Sequence, residues 1–168
     1  MYKKIVSQAP LTLVTLAEVK AQSRVFIDFE DTYLESLILP YSQLAQSYTN
    51  RMLTVGVASA FLESYCPVQR LPFGEVTAIT ELLLDGEVSD DFTFNEITQK
   101  ITINSAFNEA KMTFSAGYTV IPEVVKQAIL ISISSANIVR DDMVVGQIVT
   151  NLRRTSLDLL DTVRLNGD

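Results

Sequence analysis

The spacing of the apolar residues changes twice along the chain, and this change restricts the fold more than any other feature. Leu34, Leu37, Tyr41, Leu44, Ala45, Tyr48 and Met52 recur at intervals of three and four, the stripe of an amphipathic helix. From Leu53 to Tyr118 the pattern turns into β-rich runs separated by turn residues, and helical spacing returns after Pro122. A chain that reads helix, sheet, helix belongs to the α+β class. The expectation is a single domain: a small helical bundle, with helices at about 15–52 and 122–165, into which an antiparallel β module at about 53–118 is inserted. No internal repeat or low-complexity linker interrupts it.

Local signals place the elements. Thr15 and Glu18 stand three apart, the spacing of a capping box, which predicts a short helix from Leu16 to about Ser23. A second helix start falls at Asp28, with Glu30 and Asp31 in the first turn, where the helix dipole favours acids. Pro40 lies inside the following stripe and predicts a kink or break near Leu39. Strands are predicted at about 54–65, 75–84, 91–95, 99–104 and 110–116, with Asp85-Gly86 as a turn that needs positive φ. Pro122 suits a first helical turn. The helix it opens, to about Arg140, is apolar on most of its circumference, so it is buried on several sides, either as a central core helix or partly against a neighbouring subunit. A loop containing Met143, Val144, Val145 and Gly146 then leads to a last helix, capped by Thr155, with Leu157, Leu160 and Val163 on one side.

Composition removes whole classes of chemistry. The 168 residues include no His, which excludes Ser-His-Asp and Cys-His catalysis, His-ligated zinc and His proton shuttles. A single cysteine, Cys66, cannot form an intrachain disulfide. The six glycines lie too far apart for a phosphate-cradling loop. Asp28, Glu30 and Asp31 read as a helix start, and Asp141 and Asp142 as a helix end and loop, better than as metal ligands. No catalytic residue, metal or cofactor is expected. The N-terminus lacks the apolar run of a signal peptide, and Val124 to Val139 is too interrupted to span a membrane, so a cytosolic product is expected.

The charge is −7, and residues 52–120 carry nine acids against three bases, so the excess sits in the middle of the chain. That sign opposes tight binding to a phosphate backbone. It fits a solvated acidic surface, or one that repels DNA or meets a basic partner. Arg153 and Arg154 form the densest basic pair outside the N-terminus; beside the apolar Met143, Val144 and Val145 they have the composition of an interface anchor.

Three stretches resemble the phage head-to-tail connector family, the head-completion adaptors. Leu16-Ala17-Glu18-Val19-Lys20, with the later helix end Tyr48-Thr49-Asn50-Arg51, is similar to that family's opening L-x-E-x-K helix and its Y-T-G-R helix end, with Asn50 in place of the usual Gly. Leu71-Pro72-Phe73-Gly74-Glu75-Val76 resembles its LPxGPV lead into a strand. Phe114-Ser115-Ala116-Gly117-Tyr118, then Ile121-Pro122 and Lys126-Gln127-Ala128-Ile129-Leu130, is similar to its FTAGY, VP and KQAIL. The resemblance covers roughly residues 11 to 140. It marks Leu71, Pro72, Gly74, Gly117, Tyr118, Pro122, Lys126 and Gln127 as structural motif positions.

The resemblance implies a non-enzymatic virion protein of the phage neck, assembled in the host cytoplasm. It would form a closed ring of about a dozen copies that docks on the portal, extends the DNA channel without binding DNA specifically, and presents a site to a tail or head-closure protein. It also implies that residues 141–168 act as a portal-docking arm. Another neck or tail-completion protein is the near alternative, and a small carboxylate-metal enzyme the distant one.

Overall fold

The computed structural model describes residues 1–138 and 148–165. The chain is α+β with antiparallel sheets, as its apolar spacing predicts: β1 (Tyr2–Gln8), α1 (Leu16–Ser23), a 3-10 turn (Asp28–Glu30), α2 (Asp31–Thr49), β2 (Gly56–Leu62), β3 (Val68–Arg70), β4 (Val76–Leu84), β5 (Glu87–Val88), β6 (Phe92–Asn95), β7 (Lys100–Ile103), β8 (Ala110–Ala116), α3 (Glu123–Ile138) and α4 (Ile148–Asp161). Within it, residues 1–10 and 51–120 form a compact β unit, and residues 11–50 and 121–168 form a helical unit.

The β unit has a five-stranded sheet in the order β1-β2-β8-β4-β5 and a three-stranded sheet in the order β3-β7-β6, every pairing antiparallel. Strand β8 is central, and its residues Ala110, Met112, Phe114 and Ala116 all turn inward. Small residues of β2 stand opposite large ones of β8, with Ala58 across from Phe114 and Ala60 across from Met112, and all four are buried. Ile101 and Ile103 of β7 complete the same core, as their alternation with Thr102 predicts. The Asp85-Gly86 turn has φ of 50° and 89°, the two positive values of a type I′ hairpin. Three strands lie outside the sequence expectation. β3 and β5 are short, and β1 is an edge strand with a bulge between Ile5 and Ser7, whose Lys3-Lys4 pair masks the alternation.

In the helical unit, α1 carries the expected capping box. The Glu18 amide donates to Thr15 Oγ1 at 3.3 Å, and the Thr15 amide donates to Glu18 Oε2 at 2.7 Å. The Thr15 amide and the Thr15 hydroxyl, which donates to the same Glu18 Oε2, hold the Glu18 carboxyl below its ordinary range. α3 packs against α1, α2 and α4, so its wide apolar circumference is largely used within its own unit: Val125, Ala128, Ile129, Leu130 and Ile133 are buried.

Several expectations are corrected here. Pro40 does not bring the break expected near Leu39, since α2 is one helix from Asp31 to Thr49. The proline leaves only the Ser36 carbonyl without its helical donor, and both residues are exposed, so water can satisfy it. The buried stripe of α2 is Leu34, Ile38, Ser42, Ala45 and Thr49, rotated from the predicted one. Leu44 is exposed, and Met52 belongs to the β core. Thr155 lies inside α4 and is not its cap. The C-terminal half of α4 is integrated: Ser156 and Leu160 are buried, Tyr48 Oη donates to Asp161 Oδ1 at 2.8 Å, and the Leu165 amide donates to the Thr49 carbonyl at 2.9 Å.

Two substitutions test this packing. Gly117 has φ of 113°, and a Cβ there would meet the Thr54 carbonyl; Gly117→Ala is expected to cost more than about 1 kcal/mol in urea melts. Ser42 is fully buried, and its Oγ finds no hydrogen-bond partner among the described residues. Ser42→Ala is therefore expected to be neutral or stabilising by up to about 1 kcal/mol.

Candidate functional site

Sequence motifs far apart in the chain meet at one place in the β unit. Phe73, Gly74 and Glu75 all have positive φ, at 72°, 62° and 50°, so the Leu71–Glu75 segment winds through a left-handed turn. Leu71 and Pro72 are buried at its base. The Glu75 carbonyl accepts from the Gly117 amide at 3.1 Å, and the Phe73 carbonyl accepts from the Met52 amide at 3.3 Å. Gln99 clamps the exit: its Oε1 accepts from the Val76 amide at 2.6 Å, and its Nε2 donates to the carbonyls of Val76 and Glu96. Arg51 then ties the motif ends together, with Nη1 at 3.6 Å from Glu75 Oε1 and its guanidinium 5.9 Å from the Tyr118 ring centre. Burial pushes the Tyr118 phenol up, and Arg51 opposes that shift. The hydrogen bonds of this cluster fix backbone: they hold the turn at 73–75, the entry to β4 and the end of β8. Sequence reading singled out Gly74, Gly117 and Tyr118 but missed the roles of Gln99 and Glu75, whose only signal lies in partners distant along the chain.

The other motif positions are local. Asn50 takes the left-handed conformation at the end of α2, φ 55° and ψ 24°, the conformation that glycine or asparagine supplies at this position. The Pro122 carbonyl accepts from the Val125 and Lys126 amides, opening α3. Lys126 Nζ pairs with Glu123 Oε1 at 3.0 Å, and Gln127 is exposed. Met143, Val144 and Val145 lie outside the described residues, as do Asp141 and Asp142. Arg153 and Arg154 fall within α4, not ahead of it.

A surface that sequence reading did not single out lies between α1 and α2. Phe26 and Phe29 are 88% and 93% exposed, with Ile27 between them. They are held in place by Lys20, whose Nζ meets Asp28 Oδ1 at 2.7 Å and Asp31 Oδ1 at 2.6 Å. Asp28 and Asp31 thus serve as anchors for a lysine. Hydrogen bonding to Asp28, then to Asp31, raises the Lys20 amine, and the same bond lowers the Asp28 carboxyl. Among the described residues no group of three His, Cys, Asp or Glu side chains is placed to hold a metal, and no helix is long and apolar enough to cross a membrane.

No protein-family model matches the sequence, and no curated protein matches it. Solved structures do match its fold, over 100% of this chain and 97% of theirs. One is a chain from the neck of the empty gene transfer agent particle, computed with C6 symmetry, at 18% identity and a TM-score of 0.74. Another comes from the virion of the native particle, at 17% identity and 0.72. A third comes from the native particle's neck, computed with C12 symmetry, at 16% and 0.68. The chain therefore shares its whole α+β fold with these proteins.

Two measurements follow. Arg51→Ala is expected to destabilise by about 1 to 2 kcal/mol, because it removes the guanidinium from over Tyr118 as well as from beside Glu75. Glu75→Ala should cost less than about 1 kcal/mol, since Glu75 is half exposed; equal losses in denaturant melts would contradict this. The Lys20 tie has a pH signature. Its Asp28 side is complete above the ordinary aspartate range and is lost as pH falls through the lowered Asp28 value. Its Lys20 side is complete below the ordinary lysine range and is lost as pH rises through the raised lysine value. Amide exchange at 26–30 is expected to accelerate at both extremes.

Proposed function

We propose that this protein is a structural, non-enzymatic subunit of the neck of a phage-like particle. In this reading it is a head-to-tail connector that forms a closed ring of about a dozen copies, docks on the portal, extends the DNA channel and offers its far face to a tail or head-closure protein. The observation that carries the reading is the likeness in fold, over the whole chain, to chains of gene transfer agent necks of C6 and C12 symmetry. The absence of His from the sequence and the positioning role of the motif cluster support a protein that works through surfaces. The acidic bias of residues 52–120 suits a wall along which a duplex slides without being held.

Phe26, Ile27 and Phe29 are assigned to the contact between neighbouring copies in the ring. Burying a phenylalanine is worth about 1.5–3 kcal/mol, and the Lys20 tie fixes this segment before docking, which lowers the entropy cost of association. Met143, Val144, Val145, Arg153 and Arg154 are assigned to the portal contact.

Negative-stain images of the protein mixed with its portal are expected to show an added ring. Phe26→Ser with Phe29→Ser, both at exposed positions, should leave the fold intact and abolish ring formation. Arg153→Glu with Arg154→Glu should leave subunits folded but undocked. No added density at saturating wild-type protein would overturn the proposal.

A further inference from the structure

The β unit holds a cleft of about 390 Å³ lined by Ile79, Thr80, Glu81, Leu82, Val88, Asp90, Phe92 and Thr113, on the side of β4 that leads to β5 and β6. Its chemistry is mixed in a particular way. Leu82 is buried, Phe92 and Ile79 are partly buried, and Val88 is 69% exposed, giving an apolar lining open to solvent. Glu81 and Asp90 add two carboxylates to it. Among the described residues no lysine or arginine lines the cleft, and only Arg70, Lys100 and Lys111 occur anywhere in residues 52–120.

The carboxylates nearby show what is unusual about these two. Asp91 is used internally, accepting from Asn104 Nδ2 at 2.9 Å and from Ser105 Oγ, and these bonds lower its pKa. Asp85 is used as well, accepting from the amides of Asn108 and Glu109 at 3.0 and 2.9 Å. Glu81 and Asp90 have no side-chain partner among the described residues. Asp90 is nonetheless held in position, because the Phe92 amide donates to its carbonyl and the Ser89 amide donates to the Leu82 carbonyl, both at 2.9 Å.

We infer that this cleft is a docking site for an arginine side chain presented by a protein partner. An arginine matches every part of it. Its aliphatic stem covers apolar surface while the charged head stays at the rim. Its guanidinium forks suit carboxylates and stack on an aromatic face such as Phe92. A phosphate or nucleic-acid backbone would be repelled by Glu81 and Asp90. An inorganic cation would find two carboxylates where a stable oxygen site needs more ligands, and an uncharged apolar group would leave both carboxylates to be desolvated unpaired. The inference rests on the cleft alone and stands or falls apart from the neck assignment.

The test uses the full chain, labelled with nitrogen-15, and the peptide acetyl-Leu-Arg-Leu-amide as probe. Saturable amide shifts confined to 79–82, 88–92 and 113 are expected at millimolar peptide. The control acetyl-Leu-Gln-Leu-amide should bind about tenfold more weakly, the worth of one charge-assisted hydrogen bond. Glu81→Gln with Asp90→Asn should weaken the arginine peptide by a similar factor with the remaining spectrum unchanged, and Val88→Ala should weaken it a few-fold. Equal binding of the two peptides would overturn the inference. So would shifts spread alike over Glu63, Glu96 and Glu109, because that pattern reports a diffuse acidic surface. Calcium chloride that reproduces the shifts and displaces the peptide would assign the cleft to an inorganic cation and would also overturn it.

Discussion

Gly117 lies so close to the Thr54 carbonyl that no side chain fits between them. This approach fixes where central strand β8 ends relative to the segment that leads into β2. The Gly117 amide reaches the Glu75 carbonyl only from that position, and Glu75 ends the left-handed turn that delivers Val76 into β4. Strands β2, β8 and β4 therefore share one origin. Arg51, Glu75 and Tyr118 gather around it because each is covalently next to a segment that the glycine has already placed. The inward run Ala110, Met112, Phe114 and Ala116 follows from the same register, since a slip of one residue would turn all four toward solvent.

The helical unit depends on a different device. α3 is flanked by α1, α2 and α4, and such a helix has little polar surface to offer, which explains a sequence apolar on most of its circumference. Ser132 and Ser135 fit because their hydroxyls bond back to the carbonyls of Ala128 and Ile131 at 2.8 Å. Ser42 has no such outlet and is a point where the packing is under-satisfied. The unit keeps its C-terminal helix through Tyr48, whose hydroxyl donates to Asp161 while Arg164 lies 4.9 Å over its ring. That hydrogen bond also raises the Tyr48 phenol. The end of α4 is thus committed to the bundle.

Surfaces are where this molecule departs from what folding alone requires. Two exposed phenylalanines on a segment tied by a lysine and two aspartates, and a cleft whose two carboxylates have no side-chain partner among the described residues, are arrangements that packing does not require. They use opposite chemistries. The phenylalanines offer apolar area, whereas the cleft pairs apolar side chains with two carboxylates.

The sequence by itself determined the elements whose signals are local. The Thr15–Glu18 capping box, the Asp85-Gly86 hairpin, the alternation of Ile101 and Ile103, the Asn50 cap and the Pro122 start each depend on residues a few positions apart, and the structure places them as expected. Strand β1 was hidden because an edge strand paired on one side needs no clean alternation. The face of α2 was misjudged by one position because Ser42 and Thr49 are buried there in place of leucines. Only the tertiary structure decided which motifs meet. Gln99 clamping Val76, Arg51 reaching Glu75 and Tyr118, Lys20 binding Asp28 and Asp31, and Glu81 sharing a cleft with Asp90 are set by how strands and turns pair in space, and periodicity along the chain carries no record of that pairing.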